Sequence, residues 1–304
     1  MKISIIGAGN VGATLANRII ESELADVVLV DVYKSMAQGK ALDLLHAAPL
    51  VGYQRKIMGT DDYGRIENSK IVVITAGFPR QPGMTRSDLI SKNSGIIKDV
   101  IFNVKKICHT AIVIIVTNPL DVMTFLAHNE SCLRRERIFG MAGVLDTSRF
   151  AYIIAKELKA KYNEVETLVL GQHGPQMVPL ISHTKVSGEP LRKLLPKEKI
   201  EKLVEESRRS GTHIVGLLGK GSAYYAPSAA IFAMIKVIVK NEMKLMPVSC
   251  FAKGEYGIND VCTGLPVILG KNGIEEVIQL KLDPEEEAAL KKAAESTKEL
   301  LSDL

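Results

Sequence analysis

The sequence of 304 residues has few of the features that mark secreted, membrane or metal-binding proteins. Its four cysteines are scattered and form no C-x-x-C pair, which argues against a disulfide framework or a zinc site and favours a reducing compartment. The longest apolar stretch, around residues 226–239, contains Lys236 and is too short to span a bilayer. A strand predicted to begin at residue 2 leaves no room for a signal peptide. We therefore expect a cytoplasmic protein that holds no metal ion and has no membrane partner.

The charge of the chain is small as well. The formal net charge is +5, which suits small anionic ligands better than a polyanion. The basic clusters are short and typical of a solvated surface rather than of a nucleic-acid interface; they are Arg134, Arg135 and Arg137, and Arg208 with Arg209. With 46% hydrophobic residues and no internal repeat or low-complexity tract, the composition indicates one or two globular domains with well-filled cores.

What the sequence does contain is a glycine-rich turn almost at its first residue. An Ile-rich run meets three glycines spaced G-x-G-x-x-G, and a helical pattern follows at once. In this geometry Gly7 permits a tight turn, Gly9 leaves space for a phosphate, and Gly12 lets the helix pack close to the strand. The alternative is a surface turn without a ligand. The residues predicted to bind a dinucleotide here are Gly7, Ala8, Gly9, Asn10, Val11 and Gly12.

Strand-like and helix-like segments alternate through the first half of the chain. Continuous β-branched runs over 71–76 and 112–117 are typical of strands buried on both faces. This alternation predicts an α/β fold with a doubly wound parallel (Rossmann) sheet, whose ligands bind at the carboxyl ends of the strands.

The pattern changes from about Gly143. Helices are predicted over 147–162, 197–218 and 222–240, extended segments over 166–170 and 176–186, and an antiparallel meander over 247–280. A final helix is capped by Asp283. We therefore predict two domains, a dinucleotide-binding Rossmann domain over 1–143 and a second, α+β domain with antiparallel strands over 144–304.

Asp31 ends the second predicted strand, about twenty residues beyond Gly12. A carboxylate there accepts hydrogen bonds from the adenosine ribose hydroxyls and repels a 2′-phosphate, which predicts NAD as the cofactor. A helix cap or a turn residue is the alternative. Lys34 lies close by, and its charge would favour the phosphorylated cofactor, but NAD is the cofactor that we predict.

A loop rich in proline and glycine follows the strand at 71–76 and carries Arg80 and Arg86. A guanidinium group is a planar fork that pairs with a carboxylate through two hydrogen bonds. One arginine is usual in a solvated loop. Two of them at the ligand-facing end of a strand predict an anionic substrate and a closing lid.

His173 is the most specific candidate for proton transfer. It alone of six histidines sits between a strand end and a glycine, and imidazole titrates in the range that suits proton exchange with an alcohol. A carboxylate such as Asp146 would fix the tautomer of the ring. Asp146 and Arg149 by themselves are equally well explained as a helix cap and a local ion pair, and Asn118 with Pro119 as a simple turn.

Together these segments resemble the malate/lactate dehydrogenase family, and most closely its lactate-dehydrogenase-like malate dehydrogenase branch. The resemblance covers essentially the whole chain. Besides the glycine turn, Asp31 and the arginine loop, it rests on the segments Val116–Pro119, Leu145–Arg149, Gly171–Gly174 and Lys253–Gly257.

The resemblance implies a role for each matching residue. His173 would be the general base and Asp146 its partner. Arg149 would hold the substrate carboxylate, while Arg86 would polarise the reacting oxygen. The other positions implied to contact the substrate or line the nicotinamide side are Asn93, Val116, Thr117, Asn118 and Ser222. The resemblance also implies a homodimer or homotetramer, for which the apolar segment 41–48 is a candidate interface; a core-facing helix is the alternative.

Arg80 indicates the substrate. The matching position usually carries glutamine in the lactate enzymes and arginine in the malate enzymes. A second substrate carboxylate left unpaired in a closed site would cost several kcal/mol. We therefore predict reversible oxidation of L-malate to oxaloacetate. The alternatives are a lactate or other 2-hydroxy-acid dehydrogenase and, in another class, a catalytically silent NAD-binding regulator.

Overall fold

The computed structural model describes residues 1–79, 84–219 and 221–304, without the side chain of Arg86. The strands in chain order are β1 Lys2–Ile6, β2 Asp26–Val30, β3 Ile57–Thr60, β4 Ile71–Ile74, β5 Ile112–Ile115, β6 Ile138–Gly140, β7 Val165–Glu166, β8 Val169–Gly171, β9 Met177–Pro179, β10 Lys185–Val186, β11 Glu189–Pro190, β12 Lys244–Lys253, β13 Asn259–Gly270 and β14 Gly273–Val277. The α-helices are α1 Asn10–Glu21, α2 Lys34–Val51, α3 Arg86–Ile107, α4 Leu120–Ser131, α5 Gly143–Leu158, α6 Leu191–Leu194, α7 Lys197–Leu218, α8 Tyr225–Lys240 and α9 Pro284–Leu301. In these described ranges no helix has the length and apolar character needed to cross a bilayer.

Six strands of the first half form a parallel sheet in the order β3-β2-β1-β4-β5-β6. Its strands are buried on both faces: in β2, Val27 and Leu29 join one apolar cluster, while Val28 and Val30 join another. Because β1 pairs with β2 on one side and with β4 on the other, the strand order reverses at β1. The crevice at the carboxyl ends of β1 and β4 is therefore the place where a doubly wound sheet binds its ligand.

The strands of the second half extend this sheet. Ser249 of β12 pairs antiparallel with Gly140 of β6, and the order continues through β12, β13, β8 and β9, with β14 on β13. A separate antiparallel sheet has the order β11-β10-β7. The predicted fold class is confirmed, with the addition that most of the antiparallel strands continue the parallel sheet.

Several predicted elements are confirmed in detail. Helix α7 has the predicted bounds, and Asp283 caps α9 through a capping box with Glu286, followed by Pro284 at the first helical position. Strands β12, β13 and β14 form the predicted meander.

Two extended segments were predicted wrongly as continuous strands. The segment 166–170 divides between β7 and β8, which belong to different sheets. The segment 176–186 is interrupted by a 3₁₀ turn at Ile181–His183. The Thr184 hydroxyl donates a hydrogen bond to the Leu180 carbonyl at 2.7 Å, which stabilises this turn against the extended conformation.

The expectation of a solvated surface is wrong for Arg135. Its side chain is only 15% exposed, and its guanidinium lies 2.8 Å from Glu255 Oε1. It also donates a hydrogen bond to the Phe251 carbonyl at 3.0 Å. Arg135 therefore joins the stretch before β6 to β12 and the turn after it, which sequence spacing alone could not indicate.

Candidate functional site

The glycine turn between β1 and α1 gives each of its three glycines a different environment. Gly7 has φ +110°, which disfavours any L side chain. A Cβ atom at Gly12 would lie 2.0 Å from the Gly7 carbonyl oxygen, whereas a Cβ at Gly9 would meet no atom within 4 Å. Gly9 is also the N-cap of α1 and provides no side-chain cap. The helix therefore presents its first N–H groups beside an open space, which fits a pyrophosphate.

Asp31 follows β2 and is tied to the glycine turn. Its Oδ2 accepts the Ala8 N–H at 2.7 Å, and its Oδ1 accepts the Tyr33 N–H at 3.0 Å. Each carboxylate oxygen keeps a lone pair that can accept a hydrogen bond from a ribose hydroxyl. Lys34 is engaged elsewhere, because its Nζ lies 3.2 Å from Asp61 Oδ1 and its hydrogen bond lowers the pKa of that carboxyl group.

The carboxyl ends of β4 and β5 are held together by main-chain and threonine contacts. The Val116 N–H donates to the Ile74 carbonyl at 2.9 Å, and the Thr117 hydroxyl donates to the Ala76 carbonyl at 2.6 Å. The Thr75 hydroxyl, just after β4, donates to the Gly7 carbonyl at 3.0 Å and so joins this pair of strands to the glycine turn.

Asn93 joins the loops that follow these two strands. Its Oδ1 accepts the Phe78 N–H at 2.8 Å, and its Nδ2 donates to the Asn118 carbonyl at 2.7 Å. The side chain is fully buried. The structure therefore places Asn93 as a tie between loops, while the Asn118 side chain is exposed and has no described hydrogen bond.

His173 and Asp146 come from different elements and meet at the site. His173 follows β8, while Asp146 lies in the first turn of α5, which begins at Gly143 and not at the predicted residue 147. Nδ1 of His173 is 2.8 Å from Asp146 Oδ2. In neutral imidazole this contact places the proton on Nδ1, so that Nε2 can accept a proton from a ligand.

The electrostatic environment of His173 favours the protonated form of its imidazole. Burial by itself lowers the pKa of the imidazole, but the charge and hydrogen bond of Asp146 outweigh burial, and the pKa lies above its ordinary value. The side chain is still 19% exposed, so the ring is accessible from one side. The pair therefore favours the protonated imidazole more than a histidine without this partner would.

Arg149 completes the cluster. It lies one turn beyond Asp146 on α5, with Nη1 3.4 Å from Asp146 Oδ1. Its Nε is buried and has no hydrogen-bond partner among the described residues. The guanidinium also packs against α7 at Gly211. A largely buried cation with a donor unpaired among the described residues is suited to bind an anionic group beside His173.

Asp121 is a residue of this cluster that the sequence did not indicate. It lies in the first turn of α4 and is 3% exposed. Its Oδ2 accepts the His173 N–H at 2.8 Å, and its Oδ1 accepts the Ser249 hydroxyl at 2.6 Å. The available signal was a carboxylate in an otherwise apolar helical run, Leu120-Asp121-Val122-Met123.

Four predicted substrate residues have no described contact with this cluster. Asn118 is one of them, because its only described hydrogen bond joins its carbonyl to Asn93. Arg80 lies outside the described residues. Arg86 is the first residue of α3, and nothing is described of its side chain. Ser222 is exposed between α7 and α8, and no described hydrogen bond joins it to the cluster.

The chain resembles known proteins over both of its halves. The lactate/malate dehydrogenase NAD-binding domain matches residues 1–140, and the lactate/malate dehydrogenase alpha/beta C-terminal domain matches residues 143–304. A malate dehydrogenase of Methanosarcina barkeri is 48% identical over 303 residues, which cover 100% of this chain and 99% of that protein.

Solved structures give the same result. The malate dehydrogenase of Cryptosporidium parvum has a TM-score of 0.97 and 39% identity, covering 100% of this chain and 98% of that one. The lactate dehydrogenase of the same organism, solved with lactic acid and nicotinamide adenine dinucleotide, has a TM-score of 0.95 and 38% identity, covering 99% and 96%.

The parallel sheet, its glycine turn and the domain matches define an NAD-dependent dehydrogenase. Within that class, the chain belongs to the lactate/malate dehydrogenase family.

Proposed function

We propose that this enzyme is a malate dehydrogenase that reversibly oxidises L-malate to oxaloacetate. The observation that carries the oxidation of a 2-hydroxy acid is the cluster of His173, Asp146 and Arg149, which sets a proton acceptor beside a cation. Malate has a hydroxyl group next to a carboxylate and therefore matches both groups. The naming of the full-length relative from M. barkeri as a malate dehydrogenase supports the same substrate.

Each residue of the cluster has one role in this proposal. Nε2 of His173 accepts the hydroxyl proton of malate, and Asp146 stabilises the resulting imidazolium and keeps the ring in place. Arg149 holds the carboxylate next to the reacting carbon. In the reverse direction, protonated His173 returns its proton to the carbonyl oxygen of oxaloacetate. The Asn118 amide donates a hydrogen bond to the substrate, and Ser222 approaches it from the α7–α8 connection.

The dinucleotide is held by the chain at the carboxyl ends of β1, β2, β4 and β5. Bound NAD supplies the acceptor of the hydride that leaves the substrate carbon. The α1 N-terminus and the glycine turn hold its pyrophosphate, and Asp31 accepts its ribose hydroxyls. Asn93, through its ties to Phe78 and Asn118, keeps the nicotinamide end of the cleft in shape.

Arg80 and Arg86 set the specificity in this proposal. Arg80 pairs with the carboxylate that malate has and lactate lacks, while Arg86 polarises the reacting oxygen. A cation that meets no carboxylate in the enzyme–substrate complex is costly, so pyruvate is the poorer substrate.

The test is NADH formation by the purified protein with L-malate and NAD. We expect turnover with NAD and weak turnover with NADP, and we expect His173→Asn to abolish it while NADH still binds. Cofactor binding without NADH formation from any 2-hydroxy acid would instead favour a silent NAD-binding regulator. Faster turnover of L-lactate than of L-malate would favour a lactate dehydrogenase, the function named for the C. parvum neighbour.

We further propose that the enzyme is a homodimer or a homotetramer. Helix α2 buries only Ala37 and Ala41, while Leu42 is 53% and Leu50 90% exposed. A second copy would cover this apolar face. Sedimentation should find an oligomer, and Leu42→Lys should shift it toward the monomer, whereas the same change at Leu194 on α6 should not. A monomeric unmodified protein would contradict this.

The cytoplasm is the proposed location. All four cysteines are free thiols, and Cys108, Cys250 and Cys262 are buried. Free buried thiols are typical of proteins in a reducing compartment. Fractionation of the native cells tests this, and activity confined to an extracytoplasmic fraction would contradict it.

A further inference from the structure

The carboxylate of Asp121 contacts His173 at a different point from Asp146. Asp146 on α5 contacts the ring at Nδ1, whereas Asp121 on α4 contacts the main chain at the His173 N–H. Both carboxylates are nearly inaccessible to solvent. The Ser249 hydroxyl of β12 donates a hydrogen bond to the other oxygen of Asp121, so both carboxylate oxygens are hydrogen-bonded.

We propose that Asp121 is a positioning residue for His173, which anchors the backbone of the base and adds a second negative charge beside the imidazole. The proposal rests on the proposed role of His173 as the proton acceptor. Asp121 acts through His173 and does not contact the substrate.

The need for an anchor follows from the local backbone. His173 is close to two glycines with positive φ, Gly171 at +77° and Gly174 at +132°. Such glycines allow the segment many conformations, so the residue between them has little intrinsic preference for one position. The bond from the His173 N–H to Asp121 holds the main chain in place, while the bond to Asp146 holds the ring.

The surroundings of His173 explain why a second negative charge near its imidazole matters. Among the residues that the structure describes, the charged groups facing His173 are Asp146 and Arg149 on α5 and Asp121 on α4. Burial and Arg149 lower the pKa of His173, and the two carboxylates raise it. Burial raises the pKa of Asp121 to about 6, against the hydrogen bonds from Ser249 and His173 that lower it. Asp121 is therefore ionised at neutral pH. Burial keeps the neighbouring Cys262 thiol on β13 neutral, because it raises the pKa of that group well above its ordinary value.

Asp121→Asn separates the anchor from the charge. The asparagine carbonyl can still accept the His173 N–H, and its NH₂ group can donate to the Ser249 oxygen. If the role of Asp121 is purely structural, this substitution should change the titration of His173 little. If Asp121 acts through its charge, the substitution should shift that titration.

The experiment compares Asp121→Asn with the unmodified full-length enzyme. The first readout is the titration of His173 followed by NMR of histidine-labelled protein, with His173→Asn identifying the resonance. The second is the pH dependence of kcat/KM for malate. We expect both midpoints to move to lower pH by about half a unit or more, because removal of a nearby negative charge disfavours the imidazolium.

Asp26→Asn is the matched control. Asp26 also accepts a backbone N–H, that of Lys56 at 3.0 Å, but it lies at the amino end of β2, away from the site. We expect it to leave both midpoints unchanged. Midpoints in Asp121→Asn equal to those of the unmodified enzyme would overturn the proposal.

Ser249→Ala keeps the proposal testable if Asp121→Asn does not fold. It removes the hydroxyl that supports the ionised carboxylate and leaves Asp121 and His173 in place. We expect a smaller shift in the same direction, and an unchanged titration of His173 would count against the charge effect. Because the NMR titration needs no turnover, failure of the malate assay would leave this test intact.

Discussion

The His173 imidazole and the Asp146 carboxylate, 27 positions apart in the chain, lie 2.8 Å from each other. The contact joins the loop after β8 to the first turn of α5. It orders the ring, selects the tautomer and raises the pKa of the imidazole against the effect of burial.

Asp146→Asn should lower the pKa of His173 and allow the wrong tautomer, since an amide NH₂ can donate to Nδ1. We expect kcat for malate to fall by about 10²–10⁴-fold. Malate oxidation requires neutral His173, so its remaining activity should persist to lower pH. Oxaloacetate reduction requires the imidazolium, so it should be lost at lower pH than in the unmodified enzyme.

The pH profiles of both directions check this prediction. The control is Glu157→Gln on the same helix, where Glu157 pairs with Lys199 on a partly exposed face. That change should leave both profiles in place. Full activity with an unshifted profile in Asp146→Asn would contradict the assigned pairing.

Arg149→Lys should weaken the use of malate but leave the binding of the cofactor unchanged. Lysine keeps the charge but loses the planar fork, and it cannot place a donor where the buried Nε lies. We expect kcat/KM for malate to fall about a hundredfold, while the Kd for NADH changes little. Arg209→Lys on α7, whose arginine is exposed and pairs with Glu205, is the control and should have no effect. An equal loss of NADH binding would argue against a role confined to the substrate.

The glycine turn offers a pair of substitutions with opposite expectations. Alanine is favoured over glycine in a helix by up to about 1 kcal/mol, but a Cβ at Gly12 would meet the Gly7 carbonyl at 2.0 Å, so Gly12→Ala should lower the unfolding temperature. Gly9→Ala meets no atom and should leave that temperature unchanged, yet its methyl group would occupy the phosphate position.

Thermal unfolding without cofactor and NADH titration separate the two cases. We expect Gly9→Ala to weaken NADH binding by about tenfold or more without loss of stability. Tight binding by Gly9→Ala would mean that the pyrophosphate does not lie at this turn.

Local patterns in the sequence predicted the parts of the fold that local physics controls. The β-branched runs predicted β4 and β5, and Asp283 with Pro284 predicted the start of α9. The short strands β7 to β10 depend on their partners rather than on their own two or three residues, which is why the segments 166–170 and 176–186 were misjudged.

The site likewise has features that the sequence predicts and contacts that depend on tertiary packing. The glycine spacing and the setting of His173 are visible in sequence, but the approach of Asp121 to the His173 N–H depends on how α4 packs against the loop after β8. Asn93 is predicted to line the cofactor. Its hydrogen bonds to Phe78 and Asn118, which join two loops, are contacts that only tertiary structure defines.

The proposed substrate depends most on one residue, Arg80. The measurement that tests it is the ratio of kcat/KM for oxaloacetate to that for pyruvate, with NADH, in the unmodified enzyme and in Arg80→Gln. We predict a ratio far above one that falls by about a hundredfold or more in the variant, because the second carboxylate loses its partner. A preference for pyruvate in the unmodified enzyme, or an unchanged ratio in Arg80→Gln, would contradict the account.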